Sequence, residues 1–322
     1  MNGAPLLLVS LSNIGDAIMT TPVLEAMHAL RPDAPIDIVA DRRSSIVFDQ
    51  CPYRGRIVHK DKGAPLRGAA ALVRELRDTE YEWVVDLRTD FLPLLLRVRR
   101  RMSRWRSRPY GPHAVERHMG VIAALHGNRP IPGTTVWLRP EDGNFGRDVK
   151  SRLRAGRLLV LGPGANWAPK IWPAGHFIDL IAELKHDFDA VVLLGDEADR
   201  SQSGAVAAGA GIPCVDLCGR TSIREAASVL LCARAFVGND SGLGHLAGAV
   251  GAVSLTLFGP GDPVRYRPWG PRAGWVVGTG GDLASLPPQE AARRLREHLF
   301  ALDKADTGSV TEQGGPRTPD HR

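Results

Sequence analysis

The sequence predicts an α/β protein built from two Rossmann-like domains whose parallel sheets face one another across a cleft. The chain has 322 residues, which is long enough for two separate hydrophobic cores. Short apolar runs alternate with amphipathic segments of helical spacing from the start of the chain to near its end. Because the runs are apolar on both faces, they are typical of parallel strands that helices cover on each side.

The first half alternates predicted strands with predicted helices, and we predict it to be the N-terminal domain, residues 1–135. The strands are Leu6–Leu11, Ile36–Ala40, Arg56–His59 and Trp83–Leu87. The helices are Ala17–Leu30, Ser44–Gln50, Leu66–Thr79, Phe91–Arg100 and His113–Leu125.

The second half begins after a stretch rich in proline and glycine, and we place the interdomain linker near residues 132–142. Its predicted strands are Leu158–Leu161, Ala190–Leu194, Cys214–Leu217, Ala235–Gly238 and Val253–Phe258. Its predicted helices are Ala174–Lys185, Ala198–Ala207, Ile223–Cys232, Leu243–Val250 and Gln289–Lys304. The C-terminal domain is predicted to span residues 136–305. Residues 306–322 are polar and lack aromatic side chains, which predicts a disordered tail.

Composition narrows the class of protein. Hydrophobic content of 43% and charged content of 24% are those of a soluble globular protein. No apolar run approaches the roughly 20 residues that cross a bilayer, and Leu6–Leu11 is too short for a signal-peptide core. We therefore expect a cytoplasmic enzyme.

Neither the cysteines nor the acidic residues have the spacing of a metal site. The four cysteines have neither C-x-x-C nor zinc spacing, which predicts buried, reduced thiols. The acidic pair in Asp187–Asp189 precedes its strand, so we expect a surface turn there rather than a metal site.

Positive charge is concentrated in one segment. The net charge is +6, and seven arginines fall between Arg97 and Arg108, with Trp105 among them. A nucleic-acid role is not expected, because no nucleic-acid-binding motif accompanies the cluster. Two interpretations stay open. The cluster is either a solvated helix end and loop, or a docking patch for a phosphorylated or lipid-anchored acceptor or for an anionic membrane face.

The candidate chemistry lies in loops that follow strands, because ligands bind outside the carboxyl ends of parallel strands. The first such loop, Ser12-Asn13-Ile14-Gly15-Asp16, places a carboxylate at the mouth of the first strand. Asp16 is suited to cap the next helix, to act as a general base facing the cleft, or to do both.

The most distinctive loop is Asn239-Asp240-Ser241-Gly242, between an apolar strand and a helix of small residues. A turn of this kind frees N–H groups at the helix N-terminus, where the helix dipole favours an anion. The motifs G-x-G-x-x-G and G-x-x-x-x-G-K-[ST] are both absent from it. This disfavours a dehydrogenase or a triphosphatase and indicates a nucleotide-sugar site. Asp240 either caps the helix or faces the ligand, and His245 either contacts phosphate or is a core histidine.

Two more loops of the second half carry candidate ligand-binding residues. Gly162–Phe177 reads GPGANWAPKIWPAGHF, and its Lys170 is either a point charge for a diphosphate or a solvated loop lysine. The loop after Ala190–Leu194 offers Asp199, together with its acidic neighbours, to accept ribose hydroxyls or to cap a helix.

Together these loops resemble those of glycosyltransferase family 9, the ADP-heptose–lipopolysaccharide heptosyltransferases. The resemblance covers nearly the whole chain except the tail. It rests on three segments, LLLVSLSNIGDAIMTTPVLEAMHALRPDAPIDIV, LGPGANWAPKIWPAGHF and RTSIREAASVLLCARAFVGNDSGLGHLAGAVGAVSLTLFGPGDP. It implies the GT-B fold, with the acceptor on the N-terminal domain and the nucleotide sugar on the C-terminal domain.

The resemblance also implies roles for individual residues. Asp16 matches the family's proposed catalytic base in an S-x-x-G-D loop, and Lys170 matches the donor-phosphate lysine of a K-x-W pattern. The D-[ST]-G-x-x-H turn that cradles the diphosphate matches Asp240, Ser241, Gly242, Leu243 and His245. Asn166 would lie beside the phosphates, Asp199 would contact the ribose, and Thr221 would lie near the adenine. The acceptor is assigned to Ser12, Arg97, Arg100 and Arg101.

The resemblance implies an inverting transfer of heptose that requires no metal or other cofactor. Asp16 would take the proton of an acceptor hydroxyl, while Lys170 and the turn amides would stabilise the leaving ADP. The acceptor would be a glycolipid of the lipopolysaccharide core or another glycan, reached at the inner face of the cytoplasmic membrane. Three alternatives stay open: another donor, a soluble or capsule acceptor, and a non-catalytic nucleotide-sugar-binding protein. Asp16 argues against the last, because donor binding in the second domain needs no carboxylate in the first.

Overall fold

The computed structural model describes residues 3–59 and 65–311, which form two sheets of parallel strands. The first sheet has five strands in the order β3-β2-β1-β4-β5. These strands are β1 (Leu6–Val9), β2 (Ile36–Ala40), β3 (Arg54–His59), β4 (Glu80–Asp86) and β5 (Arg97–Ser103). The chain order reverses between β1 and β4, so the carboxyl end of β1 lies at a switch point, where open α/β sheets bind ligands.

The second sheet has six strands in the order β11-β10-β9-β6-β7-β8. These strands are β6 (Leu158–Gly162), β7 (Ala190–Leu193), β8 (Cys214–Asp216), β9 (Ala235–Asn239), β10 (Ser254–Phe258) and β11 (Ala273–Val277). Its switch point lies between β6 and β9. The loops after these two strands contain two of the three motifs that the sequence singles out in the second half, those of Lys170 and of Asp240–His245.

Helices cover both faces of each sheet. The described helices of the first half are α1 (Ile14–Ile18), α2 (Thr21–Leu30), α3 (Pro65–Arg77), α4 (Ala114–Met119) and α5 (Ala123–His126). The described helices of the second half are α6 (Asn144–Arg152), α7 (Ala174–Leu184), α8 (Arg200–Gly209), α9 (Ile223–Cys232), α10 (Gly242–Ala249), α11 (Pro263–Tyr266) and α12 (Pro288–Thr311). Every residue of β1, β2, β6, β9 and β10 is buried, which confirms the prediction of doubly covered parallel sheets.

The strand β1 shows how the core is divided. Leu6 and Leu8 belong to the same cluster as residues of α2, whereas Leu7 and Val9 pack with residues of α3. Successive side chains of a strand point to opposite faces, so each face of the sheet buries its own set. No helix of the described residues is both long enough and apolar enough to cross a membrane.

The predicted helix Ala17–Leu30 is interrupted in the structure. The chain forms α1 and α2 instead, with Pro22 in the first turn of α2. Proline has no N–H to donate to the carbonyl four residues earlier. The hydroxyl of Thr21 donates to that carbonyl, at Ile18, over 2.8 Å. The break therefore leaves no unpaired backbone acceptor at Ile18.

The predicted helix Phe91–Arg100 is wrong. Leu92–Leu95 is a short 3-10 helix, and Arg97–Ser103 is the strand β5 at the edge of the first sheet. The leucines have helical spacing, but the arginines that follow belong to an edge strand, which pairs on one side only and leaves charged side chains in water. The arginine cluster therefore lies mainly on a strand rather than at a helix end.

Other predicted elements differ in extent. Ser44–Gln50 contains only a 3-10 turn, and His113–Leu125 is divided into α4, a 3-10 turn and α5. The sequence interpretation missed α6 and the edge strand β11. The last helix continues past its predicted end at Lys304 to Thr311, and residues 312–322 of the predicted tail lie outside the described residues. Residues 129–139 form neither helix nor strand, and the domain boundaries stay a prediction.

Candidate active site

The two halves of the chain meet where α1 and α10 approach each other. A β-carbon built on Gly15 would lie 2.7 Å from Cδ2 of His245 and 3.5 Å from Cα of Gly242. A β-carbon on Gly242 would lie 3.7 Å from the backbone nitrogen of Gly15. The first turns of the two helices are thus in direct contact, and only a residue without a side chain at position 15 permits this distance.

Asp16 lies in the first turn of α1 rather than at its cap. The N-cap residue is Asn13, whose side chain makes no capping hydrogen bond, so Asp16 as an N-cap is wrong. Asn13 Nδ2 instead donates to Asp16 Oδ2 over 2.9 Å. Asp16 is partly exposed, and a carboxylate in the first turn of a helix is stabilised by the helix dipole. Its carboxylate is therefore oriented and remains accessible to a substrate hydroxyl.

The N-terminus of α10 is free of side-chain capping. Its N-cap residue is Ser241, which makes no capping hydrogen bond, and the Ser241 hydroxyl is buried without a partner among the described residues. Asp240 as the helix cap is therefore wrong. The first N–H groups of a helix need acceptors, and an uncapped N-terminus is a site for an anion. A buried hydroxyl without a partner at the same place is a further group that a ligand can satisfy.

Asp240 binds Lys170, which comes from the loop after β6. Nζ of Lys170 donates to Oδ2 of Asp240 over 2.5 Å. The Asp240 side chain is 8% exposed and the Lys170 side chain 28% exposed. Lys170 is therefore not a solvated loop lysine. The aspartate holds its ammonium group beside the N-terminus of α10, and the remaining exposure leaves room for a second anionic partner.

The sequence interpretation named Asn239 in the turn before α10 but gave it no role at the site. It is fully buried at the end of β9. Its Nδ2 donates to the carbonyl of Pro163 over 2.7 Å, and its Oδ1 accepts the backbone N–H of Trp172 over 3.2 Å. One amide thus ties both ends of the Lys170 loop to β9. A polar residue ending an otherwise apolar strand is the sequence signal that could have identified this role.

His245 is buried beside Asp16 and lacks a partner for Nδ1 among the described residues. Burial lowers the pKa of His245 to about 4, and the nearby Asp16 carboxylate opposes that shift. Burial also lowers the pKa of His118, which Asp16 again opposes. A neutral His245 therefore has a nitrogen available for a ligand at neutral pH.

The burial of neutral His245 predicts a loss of stability in mild acid. The unfolded chain binds a proton near pH 6.5, whereas the folded chain resists it until about pH 4. The free energy of unfolding should therefore fall as the pH drops from 6.5 towards 4, by at most about 3 kcal/mol from this residue. Urea titrations of the wild type and His245→Gln should show a smaller fall for the variant. The exposed His186→Gln is the control, and identical pH profiles for all three proteins would contradict the assignment.

The remaining donor residues predicted from the sequence lie at the same end of the second sheet. Asp199 follows β7, and its Oδ2 accepts the backbone N–H of Asp196 over 2.9 Å, so its capping role is present. A β-carbon on Gly164 would lie 1.8 Å from Asp199 Oδ1, which places the carboxylate against the loop after β6. Burial is the main cause of a raised pKa for Asp199. Thr221 is half-buried and Asn166 is exposed.

The predicted acceptor residues are divided between two places. Ser12 adjoins α1, and its hydroxyl is buried without a partner in the described part of the chain. Arg97, Arg100 and Arg101 lie on β5, two strands from β1. Arg101 donates to the carbonyls of Pro93 and Leu96, so part of its role is structural. The structure does not bring these arginines into contact with Asp16.

No group of three or more metal-ligating side chains is found among the described residues. The two described cavities, of about 420 and 560 Å³, both border Trp275 and contain none of the predicted site residues.

The junction of α1 and α10 combines groups from both halves of the chain. One half supplies a carboxylate, and the other supplies a lysine, an uncapped helix N-terminus and a neutral histidine. Groups of these types are suited to take a proton from a hydroxyl on one side and to stabilise a phosphate leaving group on the other.

Comparisons with known proteins identify the family of the chain. The family model described as glycosyltransferase family 9 (heptosyltransferase) matches residues 69–292. Lipopolysaccharide heptosyltransferase 3 of Escherichia coli K12 is 24% identical over 93% of this chain and 94% of its own. Lipopolysaccharide heptosyltransferase 1 of Pseudomonas aeruginosa PAO1 is 28% identical over 80% of this chain and 79% of its own.

Solved structures confirm the predicted GT-B fold. A family 9 glycosyltransferase from Veillonella parvula has a TM-score of 0.82 at 19% identity, covering 93% of this chain and 98% of its own. The E. coli heptosyltransferase WaaC with ADP-2-deoxy-2-fluoro heptose has a TM-score of 0.73 at 20% identity, covering 91% and 99%. The family model spans more than half of the sequence, and the chain is therefore a member of glycosyltransferase family 9, an enzyme of the glycosyltransferase class.

Proposed function

We propose that this enzyme transfers a heptose, with inversion, from ADP-heptose to a hydroxyl of a lipopolysaccharide-core glycolipid. The observation that carries the proposal is the contact of α1 with α10, which sets Asp16 of one half opposite the uncapped helix N-terminus and Lys170 of the other. The relatives named lipopolysaccharide heptosyltransferases and the WaaC complex with an ADP-heptose analogue support the choice of donor and acceptor.

The proposed reaction is a single displacement. Asp16 accepts the proton of the acceptor hydroxyl while that oxygen attacks the anomeric carbon. The bond from this carbon to the diphosphate oxygen breaks, and ADP leaves with the bonding electrons. Backbone N–H groups of Ser241, Gly242 and Leu243, with the Lys170 ammonium, stabilise the charge on the diphosphate, so the step is written without a metal ion. The ring N–H of neutral His245 donates a hydrogen bond to the same phosphate.

Three other donor contacts belong to the proposal. Asp199 would accept a ribose hydroxyl, Thr221 would border the adenine, and Asn166 would adjoin the phosphates. All three follow strands of the second sheet at the end where ligands bind. Ser12 and the arginines of β5 would contact the acceptor, and the enzyme would work at the inner face of the cytoplasmic membrane, in contact with its anionic lipids.

The decisive experiment is a donor screen read by mass spectrometry. ADP-heptose is compared with UDP-, GDP- and dTDP-sugars, each with heptose-free lipopolysaccharide core and with soluble glycans. We expect a product of one added heptose from ADP-heptose and the core acceptor. Transfer from another nucleotide sugar, or to a soluble glycan alone, would replace the proposed substrates with those of a related glycosyltransferase.

Lys170→Ala is expected to weaken ADP about tenfold to a hundredfold, because a charged hydrogen bond to the diphosphate is lost. The change also leaves Asp240 buried without its cation, so the variant should be less stable. The double variant with Asp240→Asn should regain the stability of the wild type but should bind ADP as weakly as Lys170→Ala does. Calorimetry measures the affinity, with the exposed Lys185→Ala as the control. Unchanged ADP affinity in Lys170→Ala would remove Lys170 from the donor site.

A further inference from the structure

Two short segments beside the arginine cluster expose large apolar side chains. Phe91, Leu94, Leu95 and Trp105 are 59%, 62%, 55% and 66% exposed, respectively. The rings of Phe91 and Trp105 meet edge to face with their centroids 5.0 Å apart, so the two segments form one surface. Soluble proteins rarely expose contiguous apolar patches without a partner. We call these four side chains, with the arginines of β5 and its following turn, the apolar–arginine patch.

We propose that the apolar–arginine patch seats the enzyme on an anionic lipid bilayer, with the four apolar side chains inserted at the headgroup level. This proposal specifies the membrane contact of the proposed function, and it can be tested separately from the donor and acceptor assignments. The partner is a bilayer surface because apolar, aromatic and cationic groups lie side by side, which is the composition of protein surfaces that bind the membrane interface.

The exposed side chains are held in place by polar contacts beneath them. Asp90 has a positive φ of 63° and accepts the backbone N–H of Arg104 over 2.9 Å. It also pairs with the Arg104 guanidinium over 2.6 Å. These contacts join the start of the Phe91–Leu95 segment to the turn that carries Trp105. A residue other than glycine at positive φ is strained, so the fold maintains this arrangement at a cost.

The rest of the loop is fixed as firmly. Arg101 donates to the carbonyls of Pro93 and Leu96 over 2.8 and 3.3 Å. Leu92 and Leu96 are buried in the core on either side of the exposed pair. Leu94 and Leu95 therefore face water because the surrounding contacts direct them outward. A surface already ordered loses little side-chain freedom on insertion, which favours binding.

The seven arginines divide into two groups. Arg99, Arg101 and Arg104 are engaged by Glu80, by loop carbonyls and by Asp90, respectively. The other four make no side-chain hydrogen bond or ion pair with any residue the structure describes: Arg97, Arg100, Arg106 and Arg108. Their charges are available to anionic headgroups, each adding about fivefold to binding near a negatively charged membrane.

The position of the patch suits a lipid-anchored acceptor. It extends along β5, and its Phe91 and Trp105 lie near the carboxyl end of that strand, which is the end of the sheet where β1 leads to Asp16. β5 is two strands from β1, or about 10 Å at the usual strand spacing. A headgroup held near Phe91 and Trp105 would therefore lie at the same end of the sheet as the candidate base.

The test is flotation with vesicles of phosphatidylcholine, alone or mixed with phosphatidylglycerol. We expect the wild-type enzyme to bind the mixed vesicles, with an affinity that falls as salt is added. Phe91→Ser combined with Trp105→Ser should weaken binding at least about tenfold, because two aromatic side chains no longer leave water. Arg106→Gln combined with Arg108→Gln should weaken it by about twentyfold or more and reduce its salt dependence.

The controls are an exposed aromatic residue and an exposed arginine of the second half, Phe300→Ser and Arg152→Gln. Both should bind vesicles like the wild type, and all variants should bind ADP unchanged, which separates this surface from the donor site. Three results would each overturn the proposal. The first is an equal loss of vesicle binding in the controls, and the second is equal binding to vesicles of pure phosphatidylcholine. The third is concentration-dependent dimerisation that Trp105→Ser abolishes. In the last case a second copy of the chain occupies the patch. Vesicle binding without heptose transfer would keep the patch and reject the proposed substrates.

Discussion

Asp16→Asn is expected to lower kcat by about 10²–10⁴ while leaving the affinity for ADP unchanged. The substitution keeps the shape of the side chain and its contact with Asn13, but removes the group that accepts the proton. The donor contacts that we propose all come from the second half of the chain, so they are not disturbed. Steady-state rates with saturating donor, together with calorimetry for ADP, measure the two quantities separately.

Asp78→Asn is the matched control for this variant, because Asp78 is an exposed carboxylate of the same half. It should turn over at the wild-type rate. Asn13→Ala gives a second comparison: it leaves the carboxylate in place but frees its orientation, so the loss in kcat should be smaller than for Asp16→Asn. Near wild-type turnover of Asp16→Asn would show that another group accepts the proton.

Gly15→Ala is expected to lower kcat by about 10²-fold by separating the two halves of the site. The new methyl group would lie 2.7 Å from Cδ2 of His245, closer than carbon atoms approach without displacement. His245 is 7% exposed and has no room to turn away, so α1 must move from α10 and take Asp16 with it. ADP affinity should persist, because α1 contributes none of the proposed donor contacts.

Gly204→Ala is the matched control for a methyl group added to a helix. A β-carbon there would meet no atom within 4 Å, and alanine favours the helix by up to about 1 kcal/mol. This control should equal or exceed the wild type in stability and match it in kcat. If Gly15→Ala retained full kcat, then the contact between α1 and α10 would not be needed for catalysis.

The central strands of the second half could be predicted because their signals are local. These strands, β6, β7, β9 and β10, are largely apolar and buried, and the turn at Asp240–His245 combines small residues with a helix start. The sequence does not show which partner each polar side chain takes. Asp16 and Asp240 both have the residue type and position of helix caps, yet one accepts from Asn13 and the other pairs with Lys170. Such partners are determined by packing between segments that are distant in the sequence, and local sequence patterns carry no information about that packing.

The wrong prediction of a helix at Phe91–Arg100 has a physical cause. The segment from Phe91 to Ser103 has leucines at helical spacing followed by arginines, which favours a helix. It lacks the uninterrupted apolar run by which a central strand is recognised. An edge strand needs no apolar run, since one side of it faces water. β11 was missed for a related reason, because it is a short edge strand after a loop rich in proline and glycine.

The arginines of β5 have a consequence for the free enzyme in solution. Unpaired N–H and C=O groups along an edge strand are a template for pairing with the same edge of another molecule. Four of the seven residues of β5 are arginine, so two such edges would bring like charges together. The strand thereby discourages edge-to-edge aggregation at the part of the surface where four large apolar side chains are exposed. Charge at this edge keeps the molecules apart until they reach a surface of opposite sign.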